Sequence, residues 1–168
     1  MSNLLSYPEV EYQLDWIPPG NEIAVDTETT GLEVYGGDVP FLFSFANTEG
    51  QVGVVRRTEE NMPMLKKFFK DKTIKKIYHN RKFDYKMCRN VGLKARGEWD
   101  DTLAMFRLID ENLPSKALLA LSKRFLGFKG IEDENGGNGW LTEVVPEITV
   151  PDATPFHLQS IQYEVESS

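Results

Sequence analysis

The fold is decided by one stretch of the sequence, IAVDTETTGL at residues 23–32. Its apolar start is typical of a strand buried on both faces, so residues 22–26 are predicted to form a strand. Because neighbouring strand residues point to opposite faces, Asp26 and Glu28 are expected to point the same way. Two adjacent carboxylates repel each other unless a cation or a shared proton relieves the repulsion. Hard divalent cations such as Mg²⁺ use such oxygen ligands, so the pair indicates a metal site, with a solvated strand end as the alternative.

The composition is that of one globular domain. The chain has 168 residues and is 40% hydrophobic and 27% charged, so we expect a single domain over residues 1–168 with residues 1–21 as an N-terminal extension. The formal net charge of -7 argues against a reader of duplex DNA, which binds phosphates through basic residues. It does not argue against a nuclease whose acidic residues bind metal, because the metal then supplies positive charge.

The sequence carries no sign of a membrane or secreted protein. No apolar run is long enough to span a bilayer, and the N-terminus lacks the pattern of a secretory signal. The single cysteine, Cys88, cannot form an internal disulfide, which is compatible with a reducing compartment. We therefore expect a cytoplasmic protein without a membrane partner.

The order of predicted elements is typical of an α/β domain with a mixed sheet and helices packed on it. Strands are predicted over residues 22–26, 41–46, 51–55, 75–78 and 98–100. Helices are predicted from residue 58, over 81–91, from 101 or 102 to 110, over 114–126 and over 157–166. Residues 1–21, 29–39 and 130–139 are predicted to be loops, and Asn47 to Gly50 carry a hairpin signal.

A second stretch, IYHNRKFD at residues 77–84, adds a third carboxylate. A strand is predicted to deliver the chain to a polar turn, where a helix begins. Asn80 and Asp84 are four residues apart and would share one helix face. Asp84 would therefore approach the acidic pair from a different element. Asn80 could also simply cap the helix, and His79 is better explained as a residue that holds the turn than as a catalytic base.

The two stretches together resemble the DEDD (DnaQ-like) 3′–5′ exonucleases. The closest resemblance is to the proofreading domain of family A DNA polymerases, the bacterial polymerase I and phage type. Asp100-Asp101-Thr102-Leu103 and the helix after it resemble the segment that this family places between its second and third motifs. The resemblance covers about residues 21–163, and it implies a ribonuclease H-like mixed sheet flanked by helices.

The resemblance also implies a reaction and its cofactors. It implies two Mg²⁺ or Mn²⁺ ions that hydrolyse single-stranded DNA from its 3′ end and release nucleoside 5′-monophosphates. Asp26 would bridge both ions, Glu28 would bind the ion that activates water, and Asp84 would hold the second ion through a water. A DNA polymerase is an implied partner, and the implied location is the cytoplasm of a bacterial or phage-infected host cell.

Further residues match family positions that bind substrate or orient water. Asn80 matches the asparagine of the second motif and should shape the site. Thr29 and Leu32 are expected to bind substrate, with Leu32 near the terminal base. Tyr163 matches the tyrosine that orients the attacking water, although it could also be an ordinary helix aromatic.

The last motif departs from the family pattern. The pattern is Tyr-x-x-x-Asp, but the fourth residue after Tyr163 is Ser167. The histidine variant of the motif fails too, because His157 leads to Gln162. Three explanations are open. The fourth carboxylate is absent, or it is supplied by the substitute ligand Glu166 or by Glu164, or the chain stops before the family's final helix is complete. A serine hydroxyl replaces a charged ligand poorly, so weaker metal binding and slower turnover are expected.

Three functions remain open at this level. The leading one is a metal-dependent, proofreading-type 3′–5′ exonuclease. The second is a degenerate exonuclease fold that binds DNA or a polymerase without cutting, as Ser167 would suggest. The third is an RNA 3′ exonuclease of the ribonuclease D type, because RNA is distinguished by its 2′-hydroxyl and not by the catalytic acids. The basic run at residues 66–76 is interpreted as a solvated helix face and loop, with contact to a phosphate backbone as the alternative.

Overall fold

A computed structural model describes residues 12–126 of the chain. These residues fall into two compact units that divide after Ile109. The first unit contains a mixed sheet and three helices, and the second contributes one described helix. Within residues 12–126, no helix is both long enough and apolar enough to cross a membrane. The predicted loop at 130–139, the predicted helix at 157–166 and the last motif lie outside the described residues.

Six strands form one mixed sheet in the order β1-β4-β3-β2-β5-β6. Antiparallel pairing joins β2 to β3 and β3 to β4, and parallel pairing joins β2 to β5, β5 to β6 and β1 to β4. The predicted mixed α/β sheet is therefore confirmed. The strands are β1 Tyr12–Leu14, β2 Glu22–Thr29, β3 Pro40–Asn47, β4 Val52–Arg56, β5 Lys75–Tyr78 and β6 Trp99–Asp101.

The described helices alternate with the later strands of the sheet along the chain. They are α1 Met62–Lys70, α2 Arg81–Asn90, α3 Thr102–Ile109 and, in the second unit, α4 Leu118–Leu126. Helix α2 ends as predicted at Gly92, whose φ of 76° is readily adopted by glycine. The amide of Gly92 donates to the Arg89 carbonyl at 3.1 Å, which closes the last turn.

Strand β2 is longer and more one-sided than its sequence predicted. It continues through Glu28 to Thr29, because the ladder with β3 pairs Asp26 with Ser44 and Glu28 with Leu42. Ile23, Val25 and Thr27 are buried, whereas the alternate residues Ala24 and Asp26 are exposed. The prediction of a strand buried on both faces is therefore wrong. The two acids lie within the strand and not beyond its end.

The buried face of the sheet carries the core of the first unit. Phe43 and Phe45 on β3 are almost fully buried and pack edge-on against Phe69 and Phe68 of α1, with ring centroids 5.8 Å and 4.9 Å apart. Such edge-to-face pairs stabilise a core beyond the area that they bury. The predicted apolar face of α1 is confirmed. Other members of this core are Ile23, Val25, Val55, Leu65, Tyr78, Cys88 and Leu93.

A short strand replaces part of the loop predicted over residues 1–21. β1 pairs in parallel with β4, and Asp15 directly after it forms an ion pair with Arg56. The Asp15 carboxylate also accepts a hydrogen bond of 2.7 Å from the side-chain amide of Asn61. These partners lie more than 40 residues away in the sequence, so no local pattern announces the strand.

Two helices begin later than predicted. Helix α1 begins at Met62, because residues 58–61 form a turn in which the Thr58 hydroxyl accepts the Asn61 amide at 3.2 Å. Helix α4 begins at Leu118 and not at Pro114, since the Ser115 hydroxyl accepts the Ala117 amide in a turn before it. In both cases a hydroxyl satisfies an amide before regular helix geometry is established.

Lys76 departs most sharply from its prediction. It belongs to the basic run interpreted as solvated, but its side chain is buried beneath the aromatic core at 1% exposure. Its ammonium donates to the carbonyls of Asp71, Ile74 and Arg96, and burial lowers its pKa. Three backbone oxygens thus replace the water that a buried charge would otherwise need.

We expect Lys76→Ala to lower the free energy of unfolding by about 2–4 kcal/mol, since it leaves three carbonyls without their donor and opens a cavity. Urea unfolding measures the loss. Lys72→Ala is the matched control, because Lys72 is exposed and should change stability by less than about 0.5 kcal/mol. Equal stability of the two variants would contradict the structural role of Lys76.

Candidate active site

The acidic pair on β2 lies on the sheet face opposite the aromatic core. Asp26 and Glu28 alternate with the buried Val25 and Thr27, so their side chains share one face as predicted. Their partners across the ladder are Ser44 and Leu42 on β3, whose side chains offer no positive charge. Neither of these ladder partners therefore neutralises the repulsion between the two carboxylates.

Asp84 reaches β2 through a buried hydrogen bond. It lies in the first turn of α2 with 3% of its surface exposed, and its Oδ1 accepts the Thr27 hydroxyl at 2.6 Å. Thr27 separates the two acids of β2 in the sequence and points to the opposite face. The structure thus brings the third predicted acid to the same segment of β2, but on the side of Thr27.

The three acids influence one another electrostatically. Burial raises the pKa of Glu28 to about 7, and the charge of Asp26 adds to the rise. Burial also raises the pKa of Asp84 to about 7, against the Thr27 hydrogen bond, with further rises from Asp26 and Asp101. The pKa of Asp26 is raised by the dense protein around it, although its surface is exposed, and is lowered in part by His79.

These donors suit a hard divalent cation by their chemistry. Asp26 couples to both Glu28 and Asp84, and a cation among them would relieve the repulsion that raises their pKa values. Within residues 12–126, however, no three His, Cys, Asp or Glu side chains are already grouped to hold one ion. Because Asp84 is hydrogen-bonded to Thr27, it would reach an ion beside Asp26 and Glu28 through water or after its carboxylate turns.

The polar turn between β5 and α2 is held by a carboxylate from the neighbouring strand. Asp101, the last residue of β6, accepts the amides of Asn80 at 3.1 Å and Arg81 at 3.0 Å. It also accepts the Leu103 amide at 3.0 Å, so it caps α3 as predicted. Its second role, fixing the start of α2, was not predicted. The parallel pairing of Tyr78 with Asp101 makes both contacts possible.

Asn80 occupies the N-cap position of α2 but does not cap it with its side chain. Its backbone is left-handed, with φ 69° and ψ 48°, a conformation that asparagine tolerates better than most residues. The predicted side-chain cap is therefore absent, and the exposed side chain remains a candidate for contact with substrate. That candidate role stays a prediction.

His79 takes part in a short hydrogen-bonded chain at the same turn. The Thr102 hydroxyl donates to the Tyr78 carbonyl at 3.1 Å, and His79 Nδ1 is hydrogen-bonded to the same hydroxyl at 2.8 Å. The imidazole is thereby oriented, as its interpretation as a turn-holding residue implies.

The other predicted residues are distributed differently. The Thr29 hydroxyl donates to the Gly31 carbonyl at 2.8 Å, which shapes the loop after β2, and Leu32 lies half-exposed in that loop. Tyr163, Glu166 and Ser167 lie outside the described residues, so their roles stay predictions. Sequence reasoning also missed a basic and aromatic cluster on α2, although the four-residue spacing of Arg81, Tyr85 and Arg89 is visible in the sequence.

Known proteins are similar to this chain in sequence. A family model described as 3′–5′ exonuclease matches residues 9–153. DNA polymerase DpoZ of Salmonella phage PMBT28 is 30% identical over 116 residues, which cover 67% of this chain and 18% of the polymerase. DNA polymerase I of Rhizobium leguminosarum is 26% identical over 133 residues, 62% of this chain and 13% of that protein. The chain thus spans less than a fifth of these relatives.

Solved structures share the fold at low sequence identity. NrnC of Brucella melitensis, bound to pGG, matches with a TM-score of 0.59 at 17% identity, over 90% of this chain and 72% of NrnC. Escherichia coli RNase D matches with a TM-score of 0.53 at 16% identity, over 83% of this chain and 34% of RNase D. These similarities confirm the predicted ribonuclease H-like sheet flanked by helices.

The raised pKa of Asp84 predicts a pH-dependent stability without divalent ions. The folded pKa of about 7 lies above the unfolded value of about 3.9, so the folded state holds a proton that the unfolded state releases. In EDTA, stability should therefore fall as pH rises from 5 to 8. Glu28, whose pKa is also about 7, contributes to the same fall, so Asp84→Asn should reduce the fall without abolishing it and be more stable than wild type at pH 8 by at least about 1 kcal/mol.

Urea unfolding at several pH values measures the effect. Glu49→Gln is the control, because Glu49 is exposed in the hairpin between β3 and β4 and should leave the pH profile unchanged. A wild-type fall that persists undiminished in Asp84→Asn would show that this carboxylate does not drive it.

Proposed function

The chain belongs to the 3′–5′ exonuclease family, and on that premise we propose that it removes nucleotides from the 3′ end of single-stranded DNA. The products would be nucleoside 5′-monophosphates. The observation that carries the proposal is geometric: Asp26 and Glu28 share one face of β2, and Asp84 is hydrogen-bonded to Thr27 between them. Three acids that match the first two motifs of the family thus meet at one segment of β2, an arrangement that is useful where cations must bind.

The residues divide the work of holding metal. Asp26 and Glu28 share a sheet face and would hold an Mg²⁺ or Mn²⁺ ion directly, and Asp84 would join a second ion from the side of Thr27. Bound ions of this kind supply an activated water and stabilise the charge that develops on the phosphate. Asp101 keeps the turn that carries Asn80 in place beside these acids.

A DNA polymerase is the proposed partner. The sequence relatives are DNA polymerases, which supports a proofreading role together with a polymerase. Two alternatives keep the fold and change the activity. Ser167 in place of the fourth acid favours a binding module that does not cut. The fold is shared with RNase D, so RNA is the alternative substrate.

We expect Asp26→Ala to reduce release of nucleotides from a 3′-labelled single-stranded DNA, with Mn²⁺ present, by at least about a thousandfold. The loss of a metal ligand removes several kcal/mol of transition-state stabilisation, and each 1.36 kcal/mol is a factor of ten. Glu49→Ala, in the exposed hairpin, should retain the wild-type rate.

A matched RNA strand in the same assay identifies the nucleic acid. Faster release from RNA would replace the DNA proposal by the ribonuclease alternative. Binding of both strands without release from either by the wild type would instead support the module that does not cut.

The serine in the last motif gives a second prediction. Ser167→Asp should raise the turnover by about tenfold or more, since it restores a charged oxygen ligand where a hydroxyl stands. Ser168→Asp adds the same charge one residue further and should not raise it. Equal turnover of wild type and Ser167→Asp would mean that Glu166 or another acid already fills the place.

A further inference from the structure

A basic and aromatic groove lies on the outward side of α2. Its basic and aromatic side chains have no role in the proposed reaction. It encloses about 240 Å³ and is lined by Arg81, Lys82, Tyr85, Lys86, Trp99 and Asp101. The inward side of α2 carries Asp84, Met87 and Cys88, which are buried. The helix therefore presents an acid to β2 and cations to the groove.

The centre of the groove is a stack of planar groups. The Arg81 guanidinium carbon lies 3.9 Å from the ring centroid of Trp99 and 4.7 Å from that of Tyr85. Arg81 Nε is buried without a hydrogen-bond partner among the described residues, so the guanidinium is held by stacking more than by hydrogen bonds at that atom. Trp99 nevertheless keeps half of its surface exposed.

Cations surround this stack on a protein that is acidic overall. Lys82 and Lys86 line the groove, and Lys86 Nζ lies 5.0 Å from the ring centroid of Tyr35 on the loop after β2. Arg89 extends the same side of α2 and donates to the Tyr85 hydroxyl at 3.1 Å. The single acid in the lining, Asp101, is engaged by backbone amides, including those of Asn80 and Arg81.

We propose that this groove binds a single nucleic-acid strand, with phosphates on Lys82 and Lys86 and a base stacked on Trp99. The proposal rests on the proposed nuclease function and deepens it, because it assigns the strand a path beyond the acids. Positive side chains that flank open aromatic faces are the combination that binds single strands without regard to sequence. A duplex hides its base faces and could not use Trp99 in this way.

The groove borders the turn that carries Asn80. Arg81 is the first residue of α2 and follows Asn80, the candidate substrate residue of the turn. Asp101 lines the groove and accepts the amides of Asn80 and Arg81. A strand that contacts Asn80 would therefore meet the groove next.

The salt dependence of binding tests the phosphate contacts. The probe is a fluorescein-labelled 12-nucleotide single-stranded DNA, followed by anisotropy in EDTA at increasing KCl. Loss of two phosphate contacts in Lys82→Ala/Lys86→Ala should lower the slope of log affinity against log salt by roughly 1.4, at about 0.7 per contact. Lys66→Ala/Lys70→Ala, on the exposed side of α1, removes the same charge and should leave the slope unchanged.

The aromatic contact has its own variant. Trp99→Ala should weaken binding of the 12-nucleotide strand by about fivefold or more, as expected when one stacked base loses its platform. In the presence of Mn²⁺, the groove variants should raise KM more for the 12-nucleotide strand than for a dinucleotide. Simple damage to the fold would affect both substrates alike.

The outcomes separate this groove from the nuclease proposal. Binding that weakens in the groove variants, while the wild type cuts no strand, would overturn the nuclease function and retain the groove. Cutting by the wild type, with unchanged slopes and KM ratios in the variants, would retain the nuclease function and overturn the groove. Absence of strand binding by the wild type would also overturn the groove.

Discussion

The buried hydrogen bond between Thr27 and Asp84 is the contact on which the site depends. It joins β2 to α2 across 57 residues of sequence and determines where the third acid lies. Burial disfavours the charged carboxylate, and the Thr27 hydroxyl and the first turn of α2 work against that penalty. Thr27 points to the face of β2 opposite Asp26 and Glu28. The bond therefore places Asp84 at the same segment of β2 as the pair, but on the other face of the strand. The acids are close enough to repel, yet no three share one ion position among the described residues.

The parallel strands explain why one carboxylate can organise the rest of the site. β5 and β6 end at the same edge of the sheet, so the turn after β5 meets the first residues of α3. Asp101 stands between them and serves the amides of both, which stabilises the left-handed backbone at Asn80. Without that carboxylate the amides of Asn80 and Arg81 would lose their protein acceptor. The position of Asn80 is therefore set by β6 and not by its own helix.

Local patterns predicted what local physics controls. Strand β5, the hairpin at Asn47, the apolar face of α1 and the end of α2 at Gly92 all follow from alternation, turn residues and helical spacing. The candidate acids of the two stretches were predicted in the same way, and their role stays a prediction; their arrangement was not predicted, because the Thr27 bond is a contact between distant segments. The buried Lys76 was missed for a related reason, since three carbonyls from separate turns make its burial possible. Strand β1 likewise depends on pairing with β4 and on Arg56.

A protein with a formal net charge of -7 repels a polyanion overall, so it needs local positive charge to bind one. Near its acids, only bound cations can reverse the sign of the local field. Away from them, side chains must do so, and α2 does this by separating charge across its own width, with Asp84 inward and Lys82 and Lys86 outward. At 0.15 M salt, charges are screened over about 8 Å, so a local basic groove can attract phosphates although the whole chain is acidic. The acidic net charge of the whole chain therefore does not exclude binding of a nucleic acid to a basic groove on one helix.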